Sequence, residues 1–354
     1  MKWINLIAAV SAVSTLVAGT TRLAHSQENL AEQLSAPLPI NDVRAQLDTV
    51  WAKATPIQPP VEKGYAFPLS FAQGTTEVAY NLTTRKTSFG SVPAAMAYLN
   101  HGQLASPGSP GLGGQTGEEP IRGGNQPGGG YATNAIVGRD DRVRIDSTTS
   151  FPWRAQCKLY MRFPNGARYI GSGTLVNAKY VLTAGHCIYS KSDGGWATSV
   201  EVVPGLSGSY KPYGSAFATR FRSYTGWTNY SSRDHDFALV TLDRNIGNST
   251  GWLGYGSFSS LSNVVGHLAG YPGDRDGGSR LYYHYDWVQS WSIYRVFYNL
   301  DTMAGQSGSG VYQRINGSRY LFAVHTNGSS SGNSGTRIDS AKYNSIASWI
   351  ASGY

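Results

Sequence analysis

The chain has 354 residues, of which 40% are hydrophobic and 14% charged, and its formal net charge at pH 7 is +8. Its 29 lysines and arginines are scattered rather than clustered, so nucleic-acid binding has little support. No stretch is long and apolar enough to span a membrane, because the N-terminal apolar run is shorter than the ~20 residues that a spanning helix requires.

That N-terminal run is the first predicted element, a secretory signal peptide over residues 1–26. Met1-Lys2 precedes an apolar stretch from Leu6 to Ala18, and Ala24-His25-Ser26 marks the expected cleavage region. We therefore expect a secreted, extracellular protein.

Residues 27–134 are expected to form a propeptide. The composition is mixed from 27 to about 100, and residues 106–130 are dense in glycine and proline with almost no large apolar side chains. The second stretch is typical of a flexible linker. A signal, a small segment, a linker and a larger domain in this order indicate a zymogen, in which the propeptide blocks the site or assists folding.

Residues 135–354 show the pattern of an all-β domain. Short β-branched and aromatic runs, separated by Gly, Ser, Asn and Pro, predict strands at 155–162, 180–183, 199–203, 237–242, 264–269 and 320–325. Helical periodicity appears only at the end, where Tyr343, Ile346, Trp349 and Ile350 share one face after the possible caps Asp339 and Ser340.

Three strings in this domain supply the side chains that serine-type acyl transfer needs: Thr183-Ala184-Gly185-His186-Cys187, Asp236-Phe237-Ala238-Leu239-Val240 and Gly305-Gln306-Ser307-Gly308-Ser309. A serine hydroxyl is a poor nucleophile, so Ser307 needs an imidazole, His186, to take its proton. The imidazole needs a buried carboxylate, Asp236, that fixes its tautomer. Gly305 lets the backbone turn so that the amides of Gly305 and Ser307 form an oxyanion hole.

Each string alone has an ordinary explanation. A histidine in a strand-like run is often a core residue, and Gly-x-Ser-Gly is common in a chain with 43 glycines. All three together within one domain are much harder to obtain by chance. An α/β-hydrolase would place its acid and base after the serine, whereas here both precede it. An inactive binding protein of this type would need a broken triad, and none of the three positions is broken.

These strings resemble the chymotrypsin-like serine proteases, and among them the glutamyl endopeptidase branch. The resemblance covers roughly 135–354 and includes further matching stretches at 136–142, 203–205, 212–214, 270–274, 301–302 and 323–328. It implies two six-stranded antiparallel β-barrels with a C-terminal helix, and a mature N-terminus at Ala135. One departure is Gly310, where the family usually has proline.

The resemblance also implies a substrate pocket. It places Thr302 and His325 where glutamyl endopeptidases bind the substrate carboxylate, with Thr326 and Gly328 on the same strand. The freed amino group of Ala135 is a further expected ligand of that carboxylate. A hydroxyl and an imidazole are suitable donors to a carboxylate. The alternative for His325 is a core histidine bonded to backbone.

A complication is Asp301, because trypsin-like enzymes keep their Arg- and Lys-selecting acid six residues before the serine. Trypsin-like specificity is therefore the second hypothesis. Gln306 stands where trypsin has the aspartate that pairs with its new N-terminus, so the usual activation switch is missing.

The distribution of glutamate favours cleavage after Glu. Six glutamates precede residue 134 (28, 32, 62, 77, 118 and 119), and only Glu201 follows it. A protease that cuts after glutamate gains by removing glutamate from its own surface, although compositional drift would give the same skew. The positive charge of the mature part would attract acidic substrates.

The two cysteines are expected to pair, since export exposes them to an oxidising compartment. Cys187 follows His186 directly, as in the family, and Gly171 occupies its usual partner position. A hairpin turning at Pro164-Asn165-Gly166 would bring Cys157 opposite residue 173, close to that place. A Cys157–Cys187 disulfide is therefore favoured over two free buried thiols. We expect a monomer that needs no cofactor or catalytic metal and whose partners are polypeptide substrates and its own propeptide.

Overall fold

The computed structural model describes residues 54–57, 74–90, 102–108, 136–329 and 332–353. The predicted signal peptide, most of the predicted linker and Ala135 lie outside this part. Within it, no helix is long and apolar enough to cross a membrane.

Most of the strands form two barrels, and a few short strands come before them in the chain. In chain order they are β1 (Thr55–Pro56), β2 (Glu77–Asn81), β3 (Lys86–Phe89), β4 (Gln103–Ala105), β5 (Val143–Ile145), β6 (Gln156–Arg162), β7 (Arg168–Asn177), β8 (Tyr180–Thr183), β9 (Tyr189–Ser190), β10 (Gly195–Trp196), β11 (Ser199–Pro204), β12 (Ala216–Tyr224), β13 (Ala238–Leu242), β14 (Gly254–Ser257), β15 (Val265–Gly270), β16 (Leu281–Trp291), β17 (Arg295–Tyr298), β18 (Gly310–Ile315), β19 (Ser318–Ser329) and β20 (Gly332–Arg337). The α-helices whose full range lies within the described residues are α1 (Thr225–Thr228), α2 (Gly247–Thr250) and α3 (Ser340–Ala351).

The first barrel closes from six antiparallel strands in the order β11-β6-β7-β8-β13-β12, with β11 paired back to β12. The second follows the order β18-β15-β16-β17-β20-β19, with β18 paired back to β19. Closure leaves few free edges in either sheet. The predicted two-barrel all-β fold is confirmed.

Strands form where the sequence predicts them because β-branched and aromatic side chains fill the barrel interiors. All four residues of β8 and all five of β13 are buried. Helix α3 begins after Asp339, whose carboxylate accepts a hydrogen bond from the amide of Lys342 at 2.9 Å and so caps the first turn. Its buried face includes Ile346 and Trp349.

Strands β1 to β4 come from the segment expected to be the propeptide, where no strand is predicted. Strands β2 and β3 form a hairpin that extends the first sheet beyond β12. Strand β4 pairs with β14 beside the second barrel, and β1 pairs with β7.

The predicted Cys157–Cys187 disulfide is wrong, because both cysteines are free and buried in the structure. The register does place Cys157 opposite Gly173, as expected. Cys187, however, lies against Gly171, two residues away along β7, where an added Cβ would be 3.1 Å from its Sγ. The two thiols point to different carbonyls, Ala155 O and Ser307 O, each 3.6 Å away. Burial raises the pKa of both thiols.

Candidate active site

Two turns of the first barrel bring His186 and Asp236 together. His186 lies in the 3₁₀ turn that follows β8, and Asp236 ends the turn that precedes β13. Because β8 and β13 are paired, with Thr183 opposite Ala238, the residues just beyond those ends must meet.

The imidazole and the carboxylate form a close pair. His186 Nδ1 lies 2.7 Å from Asp236 Oδ2, and the His186 amide donates to Oδ1 at 2.9 Å. Asp236 is fully buried, whereas the neighbouring Asp234 is partly exposed. The structure therefore joins His186 to Asp236, which is the carboxylate chosen from the sequence.

Ser307 lies in the loop that joins β17 to the rest of the second barrel and ends where β18 begins at Gly310. Gly305 has φ +97°, and a Cβ there would be 2.6 Å from Tyr271 O, so only glycine fits. Among the described residues, the amides of Gly305 and Ser307 donate no hydrogen bond. Both are thus available for the expected oxyanion hole.

The hydrogen bond between Ser307 and His186 is not formed in this structure. His186 Nε2 is buried and has no partner among the described residues. Catalytic hydrogen bonds are often long before substrate binds. Ser172 holds the loop in place, since its amide donates to Ser307 O at 2.9 Å and its hydroxyl to Gly305 O at 2.8 Å.

Gln306 belongs to the same loop, and the hydrogen bonds of its side chain stabilise it. Its Oε1 accepts from the amide of Met303 at 2.9 Å and from Arg142 at 3.4 Å. Arg142 is buried and also binds Asp140 and Asp274. Burial raises the pKa of Asp140, but the hydrogen bond and charge of Arg142 outweigh it and lower that pKa to about 2. The neutral side chain of Gln306 therefore links the serine loop to the ion pairs of Arg142 with Asp140 and Asp274.

Asp301 anchors the start of the expected mature chain. Its two carboxylate oxygens accept hydrogen bonds from the amides of Val137 and Asp141, both at 2.8 Å. Burial raises its pKa, and the two amide donors only partly offset that effect. The carboxylate is thus engaged by residues 137–141, and the sequence had given no signal for this role.

His325 and Thr302 both lie buried beside the Ser307 loop. His325 O accepts from the amide of Gly308 at 2.8 Å, and its Nδ1 lies 2.9 Å from the hydroxyl of Tyr298. Burial and the charges of His186 and Arg295 lower the pKa of His325 to about 3, so the imidazole is neutral at pH 7. The hydroxyl of Thr302 is buried without a hydrogen-bond partner among the described residues.

The remaining expected pocket residues differ in outcome. Thr326 directs its hydroxyl to Asn327 Oδ1 at 2.8 Å and accepts from Arg295 at 3.0 Å. Gly328 lies on β19 opposite Asn333 of β20. Ala135 lies outside the described residues, next to the anchored stretch that begins at Ile136.

Arg295 is a residue that sequence analysis missed. Among the described residues, its buried guanidinium donates to neutral groups, which are Arg233 O and the side chains of Thr326, Thr336, Asn327 and Ser334. Burial lowers its pKa, and the charge of Asp236 opposes this. A single arginine on β17 belongs to no recognisable sequence motif. Only the fold shows that it contacts Thr326 and Asn327, which follow His325 on β19.

Comparison with known proteins agrees with this geometry. Residues 142–350 match the family model described as Trypsin. The chain is 40% identical over 220 residues to the protein named extracellular metalloprotease of Bacillus subtilis (strain 168), covering 61% of this chain and 70% of that protein. It is 35% identical over 230 residues to the glutamyl endopeptidase of Bacillus licheniformis, covering 62% and 70%.

Among solved structures, a Glu endopeptidase in complex with MPD aligns with a TM-score of 0.55 at 28% identity, over 61% of this chain and 99% of that one. The fold, the paired His186 and Asp236 and the family match together lead to one conclusion. The chain belongs to the trypsin family of chymotrypsin-like serine proteases.

Proposed function

We propose that this protein is a secreted serine endopeptidase, made as a zymogen, that cleaves polypeptides after glutamate. The proposed catalytic activity is supported by the buried His186–Asp236 pair. It is also supported by the amides of Gly305 and Ser307, which donate no hydrogen bond among the described residues. In the proposed roles, Ser307 is the nucleophile, His186 the general base and acid, and Asp236 the group that orients the imidazole.

The proposed reaction proceeds through an acyl-enzyme. Ser307 Oγ attacks the scissile carbonyl while His186 Nε2 takes its proton, and the amides of Gly305 and Ser307 stabilise the resulting oxyanion. The C–N bond then breaks, and the amine leaves with the proton from His186. Water attacks the ester with His186 again as base, and the acid product and free Ser307 are released.

The preference for glutamate is supported by two buried donors near Ser307. Thr302 Oγ1 has no partner among the described residues, which suits a group that awaits a ligand. If the Tyr298 hydroxyl donates to His325 Nδ1, the neutral imidazole carries its proton on Nε2. That N–H is then a donor for a carboxylate even though the ring is uncharged.

The burial of the one glutamate that follows residue 134 also supports this specificity. Glu201 is only 1% exposed and pairs with Lys211 at 3.0 Å. The single glutamate after residue 134 is therefore not offered to another copy of the enzyme.

The trypsin-like alternative relies on Asp301. Because both of its oxygens accept amides of residues 137–141, a P1 lysine or arginine would have to share the carboxylate with them. We therefore favour glutamate over basic residues at P1.

The name of the Bacillus subtilis relative suggests metal dependence. Among the described residues, the side chains that come close enough to share an ion are Asp141, His284 and Asp301. Asp301 already accepts two amides, and His284 Nδ1 accepts the Asp301 amide at 2.7 Å. These engaged atoms do not fit a catalytic metal site, and we assign no step to one.

Mapping of cleavage products tests the proposal. The processed enzyme is incubated with a denatured protein, and the new C-termini are read by mass spectrometry. We expect peptides that end in glutamate, and none with Ser307→Ala. N-terminal sequencing of the active form should start near Ala135, whereas a fully active chain starting near residue 27 would contradict the zymogen proposal.

A further inference from the structure

Three stretches that precede residue 109 pack on the protease domain. Residues 54–57 lie on β7, residues 74–90 extend β12, and residues 102–108 pair with β14. Together they contact both barrels. Each is separated from the next by residues outside the described part of the chain.

The middle stretch makes the most extensive contact. Strand β2 pairs with β12 over five residues, from Glu77 opposite Tyr224 to Asn81 opposite Arg220. The carboxylate of Glu77 accepts hydrogen bonds from Ser345 Oγ at 2.7 Å and Trp349 Nε1 at 2.9 Å. The propeptide hairpin is thereby fixed to the barrel edge and to helix α3 at once.

A narrow slot receives the start of this stretch. A Cβ on Gly74 would lie 2.8 Å from His235 Nε2, and one on Gly226 would lie 2.6 Å from Gly74 O. Thr76 O accepts the amide of Thr225 at 2.8 Å just beyond. The slot accommodates glycine at position 74, and its wall, His235, directly precedes Asp236.

The first stretch lies next to the serine loop. Ile57 is buried, and its amide donates to Ile170 O at 3.0 Å. Pro56 presses on Gly273, where an added Cβ would be 2.2 Å from Pro56 Cγ. Gly273 in turn donates its amide to Ala304 O at 2.7 Å, one residue before Gly305.

A polypeptide that reacts at Ser307 must extend in both directions from the scissile bond. Its P1 side chain enters the pocket of Thr302 and His325, so its leaving part must pass along another side of the loop. Gly171 marks a neighbouring side, since a Cβ there would be 3.4 Å from Ser307 O. Residues 54–57 lie at the adjacent Ile170. In the uncut chain Ser307 is 4% and His186 1% exposed.

We propose that the propeptide stays docked after the chain is cut near Ala135, with residues 54–57 covering the leaving-group side of Ser307. All three stretches precede residue 109, so the cut breaks none of these contacts. Activation would then require release of the fragment, and cleavage alone would not suffice. The proposal rests on the proposed peptidase function and names the regulation of that site.

The docking is tested with the full chain carrying Ser307→Ala and a site-specific protease sequence inserted after Asn134, so that the cut leaves Ala135 as the first residue of the domain. After the cut, gel filtration at micromolar concentration should show the fragment eluting with the domain. Gly74→Leu should release it, because leucine does not fit the slot, and Glu77→Ala should weaken it. Lys86→Ala, on the exposed strand β3, is the matched control. Separation of the parent fragment on cutting would overturn the docking.

Whether residues 54–57 cover the leaving-group side of Ser307 is tested with the same inserted protease sequence in a chain that keeps Ser307, and with two substrates. One is a glutamyl p-nitroanilide with a small leaving group, and the other is a peptide with several residues after the glutamate. The cut, undissociated complex should cleave the peptide at least about tenfold more slowly than the released domain, while the anilide rate changes less. Ile57→Asp should restore peptide cleavage although the fragment still co-elutes.

Equal peptide rates for complex and released domain would overturn the covering. Loss of both activities until the fragment leaves would place the block in the pocket and also contradict it. A released domain that cleaves neither substrate would instead refute the proposed function, whereas the Ser307→Ala gel filtration still reports on docking.

Discussion

At the scale of single residues, the proposed catalysis depends on three side chains that act as a unit. Ser307→Ala or His186→Ala should each lower peptidase activity on the order of 10⁶-fold, and the double variant should lose little more. Steady-state rates on a peptide substrate measure this, with circular dichroism to verify folding. Substantial turnover by either single variant, with contaminating protease excluded, would refute the triad.

The choice of carboxylate has its own comparison. Asp236→Asn should reduce kcat by about 10⁴-fold, because an amide at Oδ2 no longer favours the tautomer that His186 needs. Asp234→Asn should have a small effect, since Asp234 is partly exposed and is not bonded to His186. Measured kcat values in the reverse order would show that the wrong aspartate has been chosen.

Tyr298 is predicted to position His325 rather than to touch substrate. Tyr298→Phe removes the hydroxyl 2.9 Å from Nδ1 and frees the imidazole to adopt either tautomer. We expect kcat/KM on glutamyl substrates to fall by about tenfold, the value of a hydrogen bond of 1–1.5 kcal/mol, with a smaller loss for uncharged P1 residues.

A second tyrosine–histidine pair in the same barrel provides the control. Tyr283 OH, on β16, lies 2.6 Å from His267 Nδ1, on β15. Tyr283→Phe should leave the ratio of glutamyl to uncharged P1 cleavage unchanged. If the two substitutions alter that ratio equally, Tyr298 has no specific role.

Sequence analysis found the triad residues because each needs a distinct neighbourhood: a strand end for Asp236, a turn for His186 and a glycine-rich loop for Ser307. It missed Arg295 and Tyr298 because their contacts join β17 to β19 and β20, which are distant in sequence. No local pattern encodes a partner that arrives through sheet pairing.

At the scale of elements, residues 136–142 form a segment tied down by Asp301. Asp301→Asn removes one of the two amide acceptors and should lower the free energy of unfolding by about 1–3 kcal/mol. Cleavage of all P1 types should fall together, because the anchor supports the loop rather than a particular side chain. Denaturant melts and a P1 series measure the two effects.

The matched control is Asp243→Asn, whose carboxylate accepts the Phe217 amide at 3.0 Å in the first barrel. It should cost stability without altering activity in the folded enzyme. A change of P1 preference in Asp301→Asn alone would favour the trypsin-like hypothesis.

Six of the twelve barrel strands (β6, β8, β11, β13, β15 and β19) were predicted, because they cluster β-branched and aromatic residues between turn residues. Strands β2 to β4 were not, since their sequences are polar and short and gain stability only by adding to an existing edge. The disulfide failed for a geometric reason. A shift of two positions along β7 separates Cys157 from Cys187, and spacing along the chain cannot resolve such a shift.

At the scale of the whole molecule, the thiols should be protected by burial. The folded protein should not react with a thiol reagent, and unfolding should release both of its 2 cysteines. Reducing agent should leave Tm unchanged. A Tm drop with dithiothreitol and two fewer thiols after unfolding would show that a disulfide forms.

Stability should decrease as the pH is lowered through the range in which the buried histidines titrate in the unfolded state but not in the folded state. The pKa of His325 is lowered from 6.5 to about 3, and burial and the charge of Lys342 lower that of His235 as well. Between these limits the unfolded state binds more protons, so stability is fully present above about pH 6.5 and declines as pH falls toward 3.

A pH series of denaturant melts checks this dependence. His325→Gln should flatten the slope between pH 6.5 and 4, because glutamine does not titrate. The exposed side chain of Lys86, changed to Ala, serves as a control with an unaltered slope. An equally steep slope in His325→Gln would show that other groups dominate acid unfolding.

The central claim is a Ser307-dependent endopeptidase specific for glutamate. Its most direct test is a panel of peptides identical except at P1, incubated with the processed protein and with its Ser307→Ala and His325→Ala variants. We expect the fastest cleavage after Glu and slower cleavage after Asp, because the shorter side chain leaves donors unpaired. His325→Ala should lose glutamyl cleavage selectively, and Ser307→Ala should cleave none of the peptides. A preference for Arg or Lys that survives His325→Ala and disappears in Asp301→Asn would contradict the central claim.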